Sequence, residues 1–173
     1  MAKEIERKFL VDQDLLPKNI IGEEYIQAYI AINDQGIVRI RIKGSIALLT
    51  IKTSEKGMTR NEFEYEVPLE DAKSLVELFN DKIIYKTRYK ITIDKKLWEV
   101  DEFHKENKGL WLAEIELESE NELFSLPEWI KKEVTGDQKY FNAYLSENPF
   151  KFWTVSYTHL RAHETRHALV CRL

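Results

Sequence analysis

Charged side chains recur at two-residue spacing along several stretches of the chain, and within most stretches they are of one sign. Arg39, Arg41 and Lys43 offer cations, as do Lys86, Arg88 and Lys90. Glu62, Glu64 and Glu66 offer carboxylates, as do Glu99 with Asp101 and Glu114 with Glu116 and Glu118. Glu4, Glu6 and Lys8 combine both signs near the start of the chain, and Lys52 stands alone two residues after Thr50. Guanidinium groups match polyphosphate oxygens as bidentate forks, and ammonium groups match them as point charges. Carboxylates clustered without His or Cys suit the hard cations Mg²⁺ and Mn²⁺, which take oxygen ligands and keep several waters. Anion, metal and carboxylate can then neutralise one another.

A two-residue spacing puts side chains on one face only if the backbone is a β-strand. The strands expected are Glu4 to Val11, Glu23 to Asn33, Ile37 to Lys43, Ile46 to Thr53, Arg60 to Val67, Ile83 to Asp94, Lys96 to Lys105 and Leu110 to Glu120. Each sets its charges against apolar neighbours, as Arg39 and Arg41 alternate with Val38, Ile40 and Ile42. Asn33-Asp34-Gln35-Gly36 and Lys43-Gly44-Ser45 have hairpin-turn composition, and such short connections imply antiparallel pairing. The period changes at Pro68 to Asn80, where Leu69, Ala72, Leu75, Val76 and Phe79 mark an amphipathic helix able to cover an apolar sheet face. Asp12 to Asn19 reads as a turn or short helix; Leu126 to Lys132 and Lys139 to Asn148 read as short helices that pack outside the sheet or plug one end.

The charged faces could meet water on an open sheet, as charged edge strands often do. Solvated faces usually mix Thr, Ser, Gln and Asn with charge, whereas here the signs are sorted by strand. The fold expected is therefore mainly β (α+β), an eight-stranded antiparallel closed barrel whose charged faces line a tunnel, with a few covering helices. Burying charge without an occupant costs several kcal/mol per ion even when the ions are paired, so this lumen implies a ligand.

The 173 residues suffice for one domain with a core, and 43% hydrophobic content with 12% aromatic residues is that of an ordinary globular protein. A net charge of −4 argues against a nucleic-acid binder. The sequence shows no long apolar run and no signal-like N-terminal region, which argues against a membrane span or secretion. The single cysteine, Cys171, permits no intrachain disulfide and fits a reducing cytoplasm.

Together these residues resemble the signature of the CYTH superfamily, the triphosphate tunnel metalloenzymes. The resemblance begins at Glu4-x-Glu6-x-Lys8 and continues, in the family's order, through Arg39-x-Arg41, Lys52, Arg60-x-Glu62-x-Glu64, Lys86-x-Arg88, Glu99-x-Asp101-x-Phe103 and Glu114-x-Glu116. It closes on Glu133-Val134-Thr135-x-Asp137-x-x-Tyr140 and covers about residues 1–152. It implies an eight-stranded tunnel, a requirement for Mg²⁺ or Mn²⁺, and hydrolysis of a small triphosphate. Inorganic tripolyphosphate, giving diphosphate and orthophosphate, is the substrate that a short chain without an appended domain suggests.

By the same resemblance Glu4, Glu6, Glu114 and Glu116 hold metal, with Glu62, Glu64 and Asp101 as second choices. Lys8, Arg39, Arg41, Lys52, Lys86 and Arg88 grip the triphosphate, while Lys8, Lys86 and Glu116 act at the reacting phosphoryl group. Lys86 lies near the attacked phosphorus or orients its water. Thiamine or nucleoside triphosphatases and class IV adenylate cyclases share the family; a cyclase would need a pocket for adenine and ribose, which the sequence does not locate, although Gln27 and Tyr29 border the charged face. A non-catalytic polyphosphate-binding module would keep the cations and lose the carboxylates, and all four first-choice carboxylates are present. A homodimer would cover apolar surface that the short helices leave bare.

Residues 153–173 depart from this pattern, holding three of the four His, the only Cys and three Arg against one acid. His163-Glu164-Thr165-Arg166-His167 matches the zinc-protease pattern HExxH, and on a helix it would share a face with His159. Only six residues follow it, too few to build a substrate cleft. The segment reads as an assembly scar outside the functional domain.

Overall fold

The computed structural model describes residues 5–53 and 62–153. Glu4, Arg60 and the His163 to His167 motif lie outside the described residues. In chain order the elements are β1 (Ile5–Val11), β2 (Gly22–Asn33), β3 (Gly36–Lys43), β4 (Ile46–Thr53), β5 (Glu62–Glu66), α1 (Leu69–Leu78), β6 (Ile83–Ile93), β7 (Lys96–Phe103), β8 (Trp111–Leu117), β9 (Ile130–Glu133) and α2 (Asn142–Glu147).

Local chemistry fixes the hairpins that hold the strands in register. At the β2/β3 turn the Asn33 side-chain oxygen accepts from the amides of Gln35 at 2.9 Å and Gly36 at 3.1 Å. Gly36 has φ +152°, and a Cβ there would stand 2.1 Å from the Lys52 carbonyl oxygen, so no side chain fits. Between β6 and β7 the turn is Asp94-Lys95, both with positive φ (49° and 66°), the two-residue geometry that matches the twist of the paired strands.

The sheet has nine strands in the order β5-β4-β3-β2-β6-β7-β8-β1-β9, not eight, and it is not closed. The reason lies at β1. One of its edges pairs with β8 and the other with β9, so β5 has no edge to meet there. The stretch expected to be a helix at Leu126 to Lys132 supplies this ninth strand instead. Trp129 is buried against Trp98, with ring centroids 5.4 Å apart, and the Asp12 amide donates to its carbonyl at 2.8 Å, which draws Ile130–Glu133 onto β1. The sheet nevertheless curls far enough that β4 and β5, at one end of the order, and β1 and β8, toward the other, line one cavity.

The apolar faces are covered in two places and the inward face is closed in a third. On β2 to β4, Ala28, Ile40 and Ala47 pack under Ala72 of α1. Behind β1, β7 and β8, Phe9, Trp98, Val100 and Ile115 pack with Trp129. Leu10, Ile84, Phe103 and Leu112 share the inward face with the charged residues and meet Leu145 of α2, in an apolar cluster whose Tyr29 and Ala143 line one end of the cavity. The segment expected to be helical at Lys139 to Asn148 is thus α2 preceded by a short 3-10 turn, and it sits at that end. Asp12 caps a single 3-10 turn, Gln13–Leu15, by accepting from the Asp14 amide.

Candidate active site

Strand register decides which charges meet. On β1 and β8, Glu6 stands opposite Glu116 and Lys8 opposite Glu114. On β6 and β7, Arg88 stands opposite Asp101 and Lys90 opposite Glu99. Lys52 of β4 faces Glu62 of β5, and Arg39 and Arg41 of β3 face Tyr29 and Gln27 of β2. The result is a cavity of about 1120 Å³. Lys8, Arg39, Arg41, Lys52 and Arg88 line it as cations, and Glu6, Glu62, Glu99, Glu114 and Glu116 line it as carboxylates.

Three of the residues singled out from sequence do not line this cavity. Lys86 and Asp101, with side chains 0% and 1% exposed, form a buried ion pair at 2.6 Å. Asp101 also receives the Arg88 guanidinium as a bidentate fork, Nε to Oδ1 at 2.7 Å and Nη2 to Oδ2 at 2.6 Å. Arg88, which does reach the cavity, donates further to Glu114 at 3.0 Å and to Glu99. Glu64 accepts from the Thr50 hydroxyl at 3.0 Å. Asp101 therefore has both oxygens occupied by cations of the protein.

The remaining cations are held more loosely. Lys8 Nζ lies 2.9 Å from Glu114 and 3.6 Å from Glu6, standing between two carboxylates. Lys52 pairs with Glu62 at 2.8 Å, and Arg39 reaches the same carboxylate at 3.9 Å. Arg41 Nε donates to the neutral Gln27 Oε1 at 3.0 Å.

This crowding shifts protonation in ways that follow from each neighbourhood. Burial raises the Glu6 carboxyl above its ordinary pKa, and the Glu114 charge raises it further, against the cations Lys8, Lys52 and Arg88. For Glu114 burial acts in the same direction but is outweighed by Lys8, Lys86 and Arg88, which hold it well below the usual carboxylate range. Burial lowers Arg41 to about 10, with Arg39 and Arg88 adding to the effect. Burial also lowers Lys86 to about 8, although Asp101 opposes it.

A divalent cation fits this donor set. Glu6 and Glu114 are hard oxygen donors that repel one another inside a cavity, and a divalent charge between them relieves that repulsion. Among the described residues no three carboxylates or imidazoles gather into a ready cage. Mg²⁺ does not need one, because it binds through one or two carboxylates, waters and the oxygens of its substrate.

The chain after β9 contributes residues that sequence reasoning did not assign. Lys8 Nζ donates to the Tyr140 carbonyl at 3.4 Å and stands 5.1 Å from the Phe141 ring, and Phe141, Asn142 and Tyr144 line the cavity beside it. Upstream, the Thr135 hydroxyl accepts from the Lys8 amide at 3.0 Å, and the Lys8 carbonyl accepts from the Val134 amide at 2.8 Å. The Glu133-Val134-Thr135 stretch was visible as a motif, but its task of fixing the backbone of Lys8 depends on β9, which local sequence does not reveal. Tyr25 also went unassigned: its buried ring lies 5.6 Å from Arg88 Cζ and 5.8 Å from Arg41 Cζ.

Residues 2–142 match the model of the CYTH domain. The chain is 44% identical over 152 residues to the inorganic triphosphatase of Acetivibrio thermocellus, spanning 87% of this chain and 97% of that one. It is 33% identical over 147 residues to the inorganic triphosphatase of Nitrosomonas europaea, spanning 83% and 96% of the two chains. Among solved structures, that of an inorganic triphosphatase superposes with a TM-score of 0.68 at 29% identity, covering 85% of this chain and 96% of that one.

Proposed function

The chain belongs to the CYTH family, and on that premise we propose that it is a divalent-metal-dependent triphosphatase that hydrolyses inorganic tripolyphosphate to diphosphate and orthophosphate. The observation that carries the reading is the cavity in which cations and carboxylates converge from opposite ends of the curled sheet. A highly charged small anion fits the first group, and its charge-balancing metal fits the second.

Arg39, Arg41 and Lys52 hold the triphosphate from the β3 and β4 wall. Arg88, fixed by Asp101, supplies rigid positive charge where negative charge builds on the phosphoryl oxygens. Glu6, Glu114 and Glu116 hold Mg²⁺ or Mn²⁺, with Glu4 as a further ligand and Glu62 at the opposite wall. When bound, the metal supplies Lewis acidity and a lowered pKa for the attacking water. Lys8 keeps the Glu6 and Glu114 carboxylates at a fixed separation and offers its ammonium to the same oxygens. Lys86 and Asp101 act from beneath, through Arg88, rather than by touching the substrate. The apolar end of the cavity, with Phe141 and α2, excludes water from one side of the bound anion.

No helix among the described residues is long and apolar enough to cross a membrane. We place the enzyme in the cytoplasm because residues 1–152 hold no cysteine, so the domain has no disulfide that would call for an oxidising compartment.

The test is product analysis by ³¹P NMR after incubating the purified protein with Mg²⁺ or Mn²⁺ and, separately, tripolyphosphate, ATP or thiamine triphosphate. Equal diphosphate and orthophosphate from tripolyphosphate, at a rate well above that from the other two, supports the proposal. Cyclic AMP with little orthophosphate from ATP would assign the site to cyclase chemistry instead.

A further inference from the structure

The cations of the cavity differ in what holds them. Arg88 is met by the carboxylates of Asp101, Glu99 and Glu114, Lys8 by Glu114 and Glu6, and Lys52 by Glu62. Arg41 is held by an amide. Gln27 is fully buried on the inward face of β2, directly opposite Arg41, and its Oε1 accepts from Arg41 Nε at 3.0 Å. The assignment of oxygen to that contact is forced, because a guanidinium has only donors. The bond uses Nε and not the terminal nitrogens, and Arg41 lines the cavity.

We propose that Gln27 is a positioning residue for triphosphate binding: its amide oxygen fixes the Arg41 guanidinium toward the cavity without cancelling the charge that must meet the anion. The inference rests on Arg41 being one of the groups that grip the triphosphate.

The other end of the Gln27 side chain supports the choice of an amide. Its Nε2 is buried and has no hydrogen-bond partner among the described residues. A buried donor without a partner is destabilising. Methionine or leucine would avoid that donor but would lose the acceptor. Glutamate would avoid it too and would bind Arg41 more tightly, at the expense of neutralising it. Glutamine is the side chain of this length that accepts from Arg41 and stays uncharged. The neighbour two residues earlier on the same face follows the same rule: Tyr25 presents a neutral ring 5.8 Å from Arg41 Cζ. Tyr29, two residues later, lines the cavity as another uncharged side chain. Arg41 remains protonated at neutral pH even though burial, Arg39 and Arg88 lower it to about 10.

The experiment is steady-state kinetics on inorganic tripolyphosphate with Mn²⁺, using the full-length protein and the variants Gln27→Glu, Gln27→Met, Arg41→Ala and Gln27→Met/Arg41→Ala. Neutralising Arg41 predicts that Gln27→Glu raises KM about tenfold, and loss of one hydrogen bond to a charged group predicts that Gln27→Met raises it about threefold, with kcat changed far less. Arg41→Ala raises KM by itself, and adding Gln27→Met to it causes no further rise, since the group being positioned is already gone. If Gln27→Glu does not fold, Gln27→Met, neutral and close in shape, decides alone. Wild-type KM in the Gln27 variants beside a raised KM in Arg41→Ala would overturn the proposal, as would equal effects of Gln27→Met with and without Arg41. An unchanged KM in Arg41→Ala would remove the underlying reading of Arg41, a different failure from the first two.

Discussion

Replacing Asp101 with asparagine keeps the shape of the side chain but removes the carboxylate that pairs directly with both Lys86 and Arg88. Lys86 is fully buried and Arg88 half-buried at the cavity wall, and both lie within 2.7 Å of the Asp101 carboxylate. Removing one member of a buried pair usually costs 3–5 kcal/mol, because the remaining charge is left without compensation. Here Glu99 and Glu114 still reach Arg88, and Lys86 can release its proton, so the low end, about 3 kcal/mol near neutral pH, is expected. For a chain of this size that corresponds to a fall in Tm of roughly 6–12 °C.

The pH dependence carries a definite sign. Lys86 already titrates near 8 in the folded protein, lowered mainly by burial while Asp101 raises it. Without Asp101 its folded pKa falls further below the unfolded value. The unfolded chain then binds more protons than the folded one over a wider range, so the variant gains stability with rising pH before the wild type does. The deficit should be largest on the acidic side and should narrow as pH rises toward 8. Thermal unfolding of both proteins at pH 6, 7 and 8 measures it. An unchanged Tm, or a deficit that grows with pH, would refute the reading of Asp101 as counter-charge to Lys86 and Arg88.

Glu114→Gln removes a carboxylate that Lys8 and Arg88 both engage and that the proposal assigns to metal; activity at fixed Mn²⁺ should fall about 10–100-fold, with more metal needed for half-maximal rate in a Mn²⁺ titration. Thr135→Val removes the acceptor for the Lys8 amide and should cost about 1 kcal/mol, read as a small loss in urea midpoint together with a lower kcat as Lys8 loses its fixed backbone. Trp129→Ala empties the site packed against Trp98 and frees β9, costing about 3–5 kcal/mol by denaturant unfolding. Ending the chain after Trp153, whose ring packs on Phe150 and Tyr140, should leave triphosphatase activity at the wild-type level; loss of activity would show that the following residues take part.

The inward face was legible because a strand alternates strictly, so charges two residues apart had to share a side whatever the tertiary fold. Arg39 and Arg41, Glu114 and Glu116, and Lys52 reach one cavity for that reason. The helix at Leu69–Leu78 was equally plain, because its apolar spacing changes period after Pro68. Two things were not legible. Alternation assigns a face but not a depth, so nothing in Lys86-x-Arg88 distinguished the buried lysine from the arginine that reaches the cavity two residues on. Nor does local sequence say how a sheet ends. Ile130–Glu133 is a short, mostly charged stretch whose strand conformation comes from the anchored Trp129 and the free edge of β1, and its pairing there is what leaves the sheet open. Gln27 was legible as a residue bordering the charged face, but its hydrogen bond to Arg41 was not, because that pairing depends on the register of β2 against β3.

The proposed site holds one metal-bearing anion inside the curl of the sheet, between the carboxylates of β1 and β8 and the cations of β3 and β4. Anomalous diffraction from crystals soaked with manganese and tripolyphosphate tests it most directly. A manganese peak coordinated by Glu6, Glu114 or Glu116, with phosphoryl oxygens on Arg39, Arg41 and Lys52, is the predicted result. Manganese and phosphate bound on the outer face, with those side chains still paired only to one another, would contradict it.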